Sequence, residues 1–256
     1  MTRRAVAAGI SGAILLLLAC SVAMGTTEEP AVAPTVGVDA ADTAKAIDLL
    51  KTGTKFIDQT SFRVDVDIAG QITALSHTDS VNRRAISTTS VAGHVIEIRM
   101  IDNDVYLKTD LDLQGVGHEW MTLDPARVPP AFALSFAPGK NDPGGSARLI
   151  NAIVTARADG SQITGTLDVN RMGAGNGITF LPGAAGAFPD SVRSHPFSAT
   201  LDAEGRLVGF LIPAASGVPS ASLRYSDFGA STGVTRPEGV VAAAPDALYS
   251  QLGWNE

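Results

Sequence analysis

Cysteine is almost absent: Cys20 is the only one in 256 residues. No internal disulfide can form and no cysteine-built metal site is possible, so the fold has to hold by packing alone. Histidine is scarce as well. His77, His94, His118 and His195 are the four, and none stands in the i, i+4 pair that a helical metal site uses, so no metal is expected. Basic residues number 19 against 26 acids, a formal net charge of −7, which leaves no cationic footprint for nucleic acid. Aromatic residues make up only 5% of the chain while 45% is hydrophobic, so the core is to be built from valine, isoleucine and leucine. Beyond the first twenty residues no apolar run is long enough to cross a bilayer. The common catalytic motifs are missing too. There is no Gly-x-Ser-x-Gly elbow and no Ser-x-x-Lys, and Gly173-Ala-Gly175-Asn-Gly177 lacks the Lys-Ser/Thr ending of a phosphate loop. Asp65/Asp67 and Asp102/Asp104 read as a wet strand face and a hairpin turn. With no nucleophile, base and orienting group to name together, no enzyme activity, catalytic residue or cofactor is expected.

What is present begins at the N-terminus. Arg3 and Arg4 precede an apolar stretch from about Ile10 to Leu18, and small Ala19 stands before Cys20, the three parts of an export signal. A helix from Ala5 to Ala19 would rise only about 22 Å, short of the roughly 30 Å of hydrocarbon that a span needs. Leu17, Ala19 and Cys20 resemble the lipobox of bacterial lipoproteins. That resemblance implies cleavage after residue 19, lipid attachment at Cys20 through a diacylglyceryl group carrying palmitate-like chains, and anchoring on the outer face of the cell membrane. Two long chains would contribute on the order of 20 kcal/mol gross, enough for durable attachment. The other reading is a plain secreted protein with a cysteine near the cut by chance.

From Cys20 to residue 38 the chain runs through Ser, Gly, Thr, Glu, Pro, Ala and Val without periodicity and reads as a lipidated cysteine with a flexible tether. Stretched out, the tether reaches about 60 Å, and as a coil about 23 Å. Residues 39–256 are expected to form a single domain. Asp39 and Asp42 open an amphipathic helix to about Asp58, with Ile47, Leu50 and Ile57 on one face. Ser61–Gly70 then alternates Phe62, Val64, Val66 and Ile68 with Arg63, Asp65 and Asp67, a strand with one dry face. His94–Ile101 repeats the pattern and turns at Asp102-Asn103-Asp104 into Val105–Lys108, and Glu119–Leu123 follows. Ser146 is expected to cap a second helix carrying Leu149, Ile150, Ile153 and Val154. Strands resume around Ile163–Val169, Phe197–Leu201, Arg206–Ile212 and Ala221–Phe228. Residues 173–190 read as loop, and Pro245–Leu252 as a last short helix. Seven to nine antiparallel strands with no strand-helix-strand repeat give an α+β class: one curved antiparallel sheet with helices on its concave side.

Three segments carry a resemblance. Leu223-Arg-Tyr225-Ser-Asp227-Phe228-Gly229 with Val234-Thr-Arg-Pro237, the Leu201-Asp-x-x-Gly-x-Leu-Val208 turn, and the Phe-x-Val-x-Val pattern of Ser61–Gly70 are similar to segments of the LppX/LprAFG lipoprotein family of mycobacteria and related actinobacteria, in the same order. The resemblance covers most of residues 39–240. It implies a LolA/LolB-like half-barrel closed by helices, which holds the acyl chains of lipids or lipoglycans in an apolar cavity and carries them from the plasma membrane toward the outer envelope. A membrane transporter is a possible partner on this reading. Candidate cavity residues on inward faces are Val64, Val66, Ile68, Ile96, Ile98, Met100, Leu167, Leu207 and Leu211. A sixteen-carbon chain buried there contributes about 13 kcal/mol gross. The alternative is a non-catalytic interaction module with a solid core, whose acidic outer face docks a membrane or cell-wall partner.

Overall fold

The computed structural model describes residues 20–23, 37–129, 135–182 and 188–254. The expected signal segment 1–19 and tether residues 24–36 lie outside the described residues. Twelve of the described strands share one sheet, large, mostly antiparallel, curved and unclosed, consistent with a half-barrel. In chain order the elements are β1 (Cys20–Ala23), α1 (Ala40–Gly53), β2 (Ser61–Ile68), β3 (Ile72–Asp79), β4 (Arg84–Val91), β5 (His94–Ile101), β6 (Asp104–Thr109), β7 (Met121–Leu123), α2 (Ser146–Ala152), β8 (Ile153–Asp159), β9 (Gln162–Leu167), β10 (Ile178–Leu181), β11 (His195–Leu201), β12 (Leu207–Ile212), β13 (Ala221–Ser226), β14 (Ala242–Ala243) and α3 (Asp246–Gln251). The sheet runs β14-β7-β6-β5-β4-β3-β2-β13-β12-β11-β9-β8, and β1 pairs with β10 in a separate parallel ribbon.

Period-2 alternation fixes which face is dry. Phe62, Val64, Val66 and Ile68 are buried on β2, and the cross-strand register carries that face through Leu223 and Tyr225 of β13 to Phe210 of β12 and Ala199 of β11. Two apolar clusters occupy it. The larger joins β2, β13, β12, β11, β9 and β8 to Ala46 and Leu50 of α1, Leu149 and Ile150 of α2, and Ile178 and Phe180 of β10. The smaller joins Ile96, Ile98 and Met100 of β5, Val105 and Leu107 of β6, and Met121 and Leu123 of β7 to Leu248, Tyr249, Leu252 and Trp254 at the C-terminus. Tight hairpins make this register possible. Ala92 and Gly93, with φ of 51° and 85°, form the two-residue turn between β4 and β5, whose handedness matches the twist of the strands.

Helix α1 stops where the chain allows contact with backbone. A β-carbon at Gly53 would stand 2.9 Å from the Gly205 carbonyl oxygen, so the glycine lets the helix end abut the β11–β12 turn. That turn is organised by Asp202, whose Oδ1 accepts from the amides of Glu204 and Arg206, and Arg206 then lies 4.1 Å over the ring of Phe228. Phe228 in turn meets Phe56 edge to face at 4.8 Å, alongside Phe62 and Tyr225. Four aromatic residues thus meet where the three resembling segments come together, a packing corner of the sheet.

The structure departs from the sequence reading in several places: Cys20–Ala23, expected in the tether, pair with β10 as β1, and the first helix ends at Gly53 rather than near Asp58. Strands β3 and β4 were not expected. The second helix ends at Ala152, and Ile153 and Val154 begin β8 instead, because Ile153 pairs with Leu167 and is buried. The expected loop 173–190 contains β10, whose Ile178, Thr179 and Phe180 are all buried. Finally, Leu211 is 45% exposed on the opposite face. A bulge sets both Leu207 and its neighbour against Leu201, so the inward parity of Leu207 passes to Phe210 and Ile212 rather than Leu211.

One buried group makes stability depend on pH. His195 is 1% exposed; with Nε2 protonated it donates to the Pro213 carbonyl oxygen at 2.8 Å, and Nδ1 has no partner. Burial holds its pKa below the ordinary 6.5. The unfolded chain therefore takes up the proton first, so stability is full above pH 6.5 and falls as the pH drops below it. Urea unfolding from pH 7.5 to 5 should show that decline, and a His195→Phe variant should flatten it.

Candidate functional site

Between the two apolar clusters the dry face changes character. Reading straight across the strands, one row runs Val64, Ser76, Ser87, Ile98, Leu107, Met121. The next runs Phe62, Thr78, Ala85, Met100, Val105, Leu123, and a third runs Val66, Ala74, Thr89, Ile96. In every row the β3 and β4 positions are small, and most carry a hydroxyl, while both flanks are large and apolar. Small side chains leave space that their neighbours do not fill. A cleft of about 70 Å3 results, floored by these β3 and β4 residues, flanked by Ile98 and Met100, and covered by Asn141, Pro143, Asn176 and Gly177.

The cover consists of two glycine-rich loops locked together. Gly144 and Gly177 approach so closely that a β-carbon on Gly177 would stand 2.0 Å from the Gly144 carbonyl oxygen. The first loop is tied to the sheet by Asp142, which accepts from the Tyr225 hydroxyl at 3.0 Å and from the Ser146 hydroxyl and Ala147 amide at the start of α2. Burial and the neighbouring Asp142 charge raise the Tyr225 pKa well above its ordinary value, so Tyr225 stays a neutral donor. The second loop is held by Arg148, which donates to the carbonyl oxygens of Met172 and Gly173 at 2.9 Å each, and also to those of Asn176 and Ile178. Desolvation lowers the Arg148 pKa from its ordinary value, yet an arginine remains charged. Arg148→Met should cost about 1–3 kcal/mol in urea unfolding, because several carbonyls lose a charged donor at once.

The ribbon beside the cleft is the remaining part. β10 sits against β13 and β2, and β1 against β2 and β3, with Cys20 opposite Ile178 and hence one residue along from cleft-lining Gly177.

Of the expected cavity residues, Ile98 and Met100 line the cleft. Val64, Val66, Ile68, Leu167 and Leu207 are packed in the larger cluster and Ile96 in the smaller, while Leu211 faces away. The residues that shape the cleft, Ser76, Thr78, Ala85, Ser87 and Thr89, were missed because alternation of large apolar side chains is the signal for a half-buried strand, and β3 and β4 lack it. Their runs of threonine and serine between Ile72 and Val91 were the available sign. Among the described residues no group of three or more histidine, cysteine, aspartate or glutamate side chains could hold a metal ion, and no helix is long and apolar enough to cross a membrane.

No protein-family model matches the chain, and no curated protein matches it. Among solved structures, a DUF1329 family protein from Desulfovibrio piger aligns over 76% of this chain and 95% of its own at 8% identity, with a TM-score of 0.25. A likeness at that level carries no argument about function.

Proposed function

We propose that the protein is a lipid-anchored envelope protein that takes an acylated ligand, a lipid or lipoglycan, between the two apolar clusters of its sheet and carries it from the plasma membrane, without catalysis. The observation that carries this reading is the gap itself: three successive cross-strand rows interrupt an aliphatic face with small residues, under a cover of two glycine-rich loops. The resemblance to the LppX/LprAFG lipoproteins supports it.

As found, the cleft is narrow. About 70 Å3 is room for a few water molecules and less than half of the roughly 150 Å3 that admits benzene in an engineered cavity, so a long chain enters only if the cover moves. The covering loops and the β1–β10 ribbon are the parts whose displacement would open a trough walled by Ile98 and Met100 on one side and Val64 and Val66 on the other. The same small volume favours the second reading, an interaction module with a solid core. A fluorescent sixteen-carbon fatty-acyl probe titrated into the mature, unlipidated chain decides between them. Saturable uptake with blue-shifted emission supports the carrier, and emission unchanged from buffer supports the module.

A further inference from the structure

Resting on the carrier reading, we infer that the cleft is a subsite for the ester junction of a neutral acylglycerol or glycolipid, its hydroxyl floor donating to the ligand's ester carbonyls. The floor is a cluster of donors. The Ser76 hydroxyl donates to Ser87 at 2.9 Å, which leaves the Ser87 proton without an acceptor among the described residues. Thr78 is 1% exposed and lines the cleft, and neither its hydroxyl nor that of Thr89 forms a hydrogen bond to a described residue. Plain hydrocarbon laid on this floor would bury those hydroxyls unpaired, which is unfavourable. An ester carbonyl only accepts, so it complements groups that have protons to give.

Charge narrows the class further. Among the described residues no lysine, arginine or histidine lines the cleft, and the nearby Arg148 spends its donors on the carbonyls of residues 172–178 and the Thr179 hydroxyl. A phosphate or a free carboxylate would therefore be buried without a counter-ion, whereas a neutral ester is not penalised in this way. The aliphatic rows on either side supply the walls along which the ligand's chains run away from the junction.

The test is a competition in one tube. The mature, unlipidated chain, residues 20–256, is mixed with equal amounts of 1,2-dipalmitoylglycerol and its ether analogue 1,2-dihexadecylglycerol, and the bound lipids are weighed by native mass spectrometry. The ester should be retained about tenfold over the ether, the effect of one to two uncharged hydrogen bonds. Thr78→Val combined with Ser87→Ala should bring the ratio close to one. Equal retention of ester and ether by the unaltered chain overturns the subsite and leaves the carrier standing. Stronger retention of added palmitate than of either glycerol lipid also overturns it. Retention of none of the three overturns subsite and carrier together.

Discussion

Gly177→Ala is expected to destabilise the protein by about 2–5 kcal/mol, one of the two largest effects anticipated for a single substitution. Two costs combine. Gly177 has φ of +76°, a left-handed conformation that costs a residue with a side chain about 1–2 kcal/mol, and the new β-carbon would stand 2.0 Å from the Gly144 carbonyl oxygen and 2.8 Å from the Gly145 nitrogen. Overpacking of that kind typically costs about 1–3 kcal/mol more, and the atoms in the way are backbone, which cannot swing aside. Gly173 provides the control. It shares the left-handed conformation, with φ of +64°, but a β-carbon there meets nothing within 4 Å, so Gly173→Ala should show the conformational cost alone. Urea unfolding of both variants checks the difference. Equal losses would mean that the two covering loops are not locked where Gly144 and Gly177 meet.

Ser87→Leu is expected to abolish ligand uptake while leaving the fold intact. Residue 87 faces the cleft between Ser76 and Ile98, so the added carbons enter free space rather than a packed core. Hydrocarbon filling the void offsets the loss of the Ser76–Ser87 hydrogen bond, so stability should change little, whereas a ligand must now compete with a resident side chain. Uptake of the fluorescent acyl probe should fall at least about tenfold, the scale set by forcing extra methylenes into an occupied space. Unchanged uptake together with an unchanged melting temperature would place the ligand site elsewhere. The same exchange at Ser198, on the opposite face of β11, should alter neither quantity.

The contrast between β2 and its neighbours β3 and β4 explains how much of this was legible in the sequence. β2 alternates large apolar with charged residues and was readable but for the two residues expected beyond Ile68, and β5 was readable in full, because a strand with one dry and one wet face imposes period 2 on composition. β3 and β4 lie on the same sheet, but their inward positions are Ala74, Ser76, Thr78, Ala85, Ser87 and Thr89, which differ little in polarity from the outward ones. The strands that leave the gap are thus the ones whose pattern is weakest, and for a single reason: small hydroxyl residues neither fill space nor mark a face. Leu207 is buried and Leu211 exposed, although both were expected on the inward face, because a bulge, invisible in spacing, lies between them. Gly173–Gly177 lacks the ending of a phosphate loop and read only as loop, and its place as a cover pinned by Arg148 depends on contacts across two dozen residues of chain. Two of the segments that carried the family resemblance meet in a packing corner outside the cleft. Asp202, Arg206 and Phe228 build a corner against Phe56, and none of them lines the cleft.

Native mass spectrometry of the mature, unlipidated chain, purified gently from an actinobacterial host and compared with the same protein denatured, tests the central claim most directly. The account predicts extra mass on the native protein that leaves on denaturation and extracts as a neutral acylated lipid, with the Ser87→Leu variant bare. Native protein at the mass of the chain alone, still bare after incubation with dipalmitoylglycerol, would contradict it.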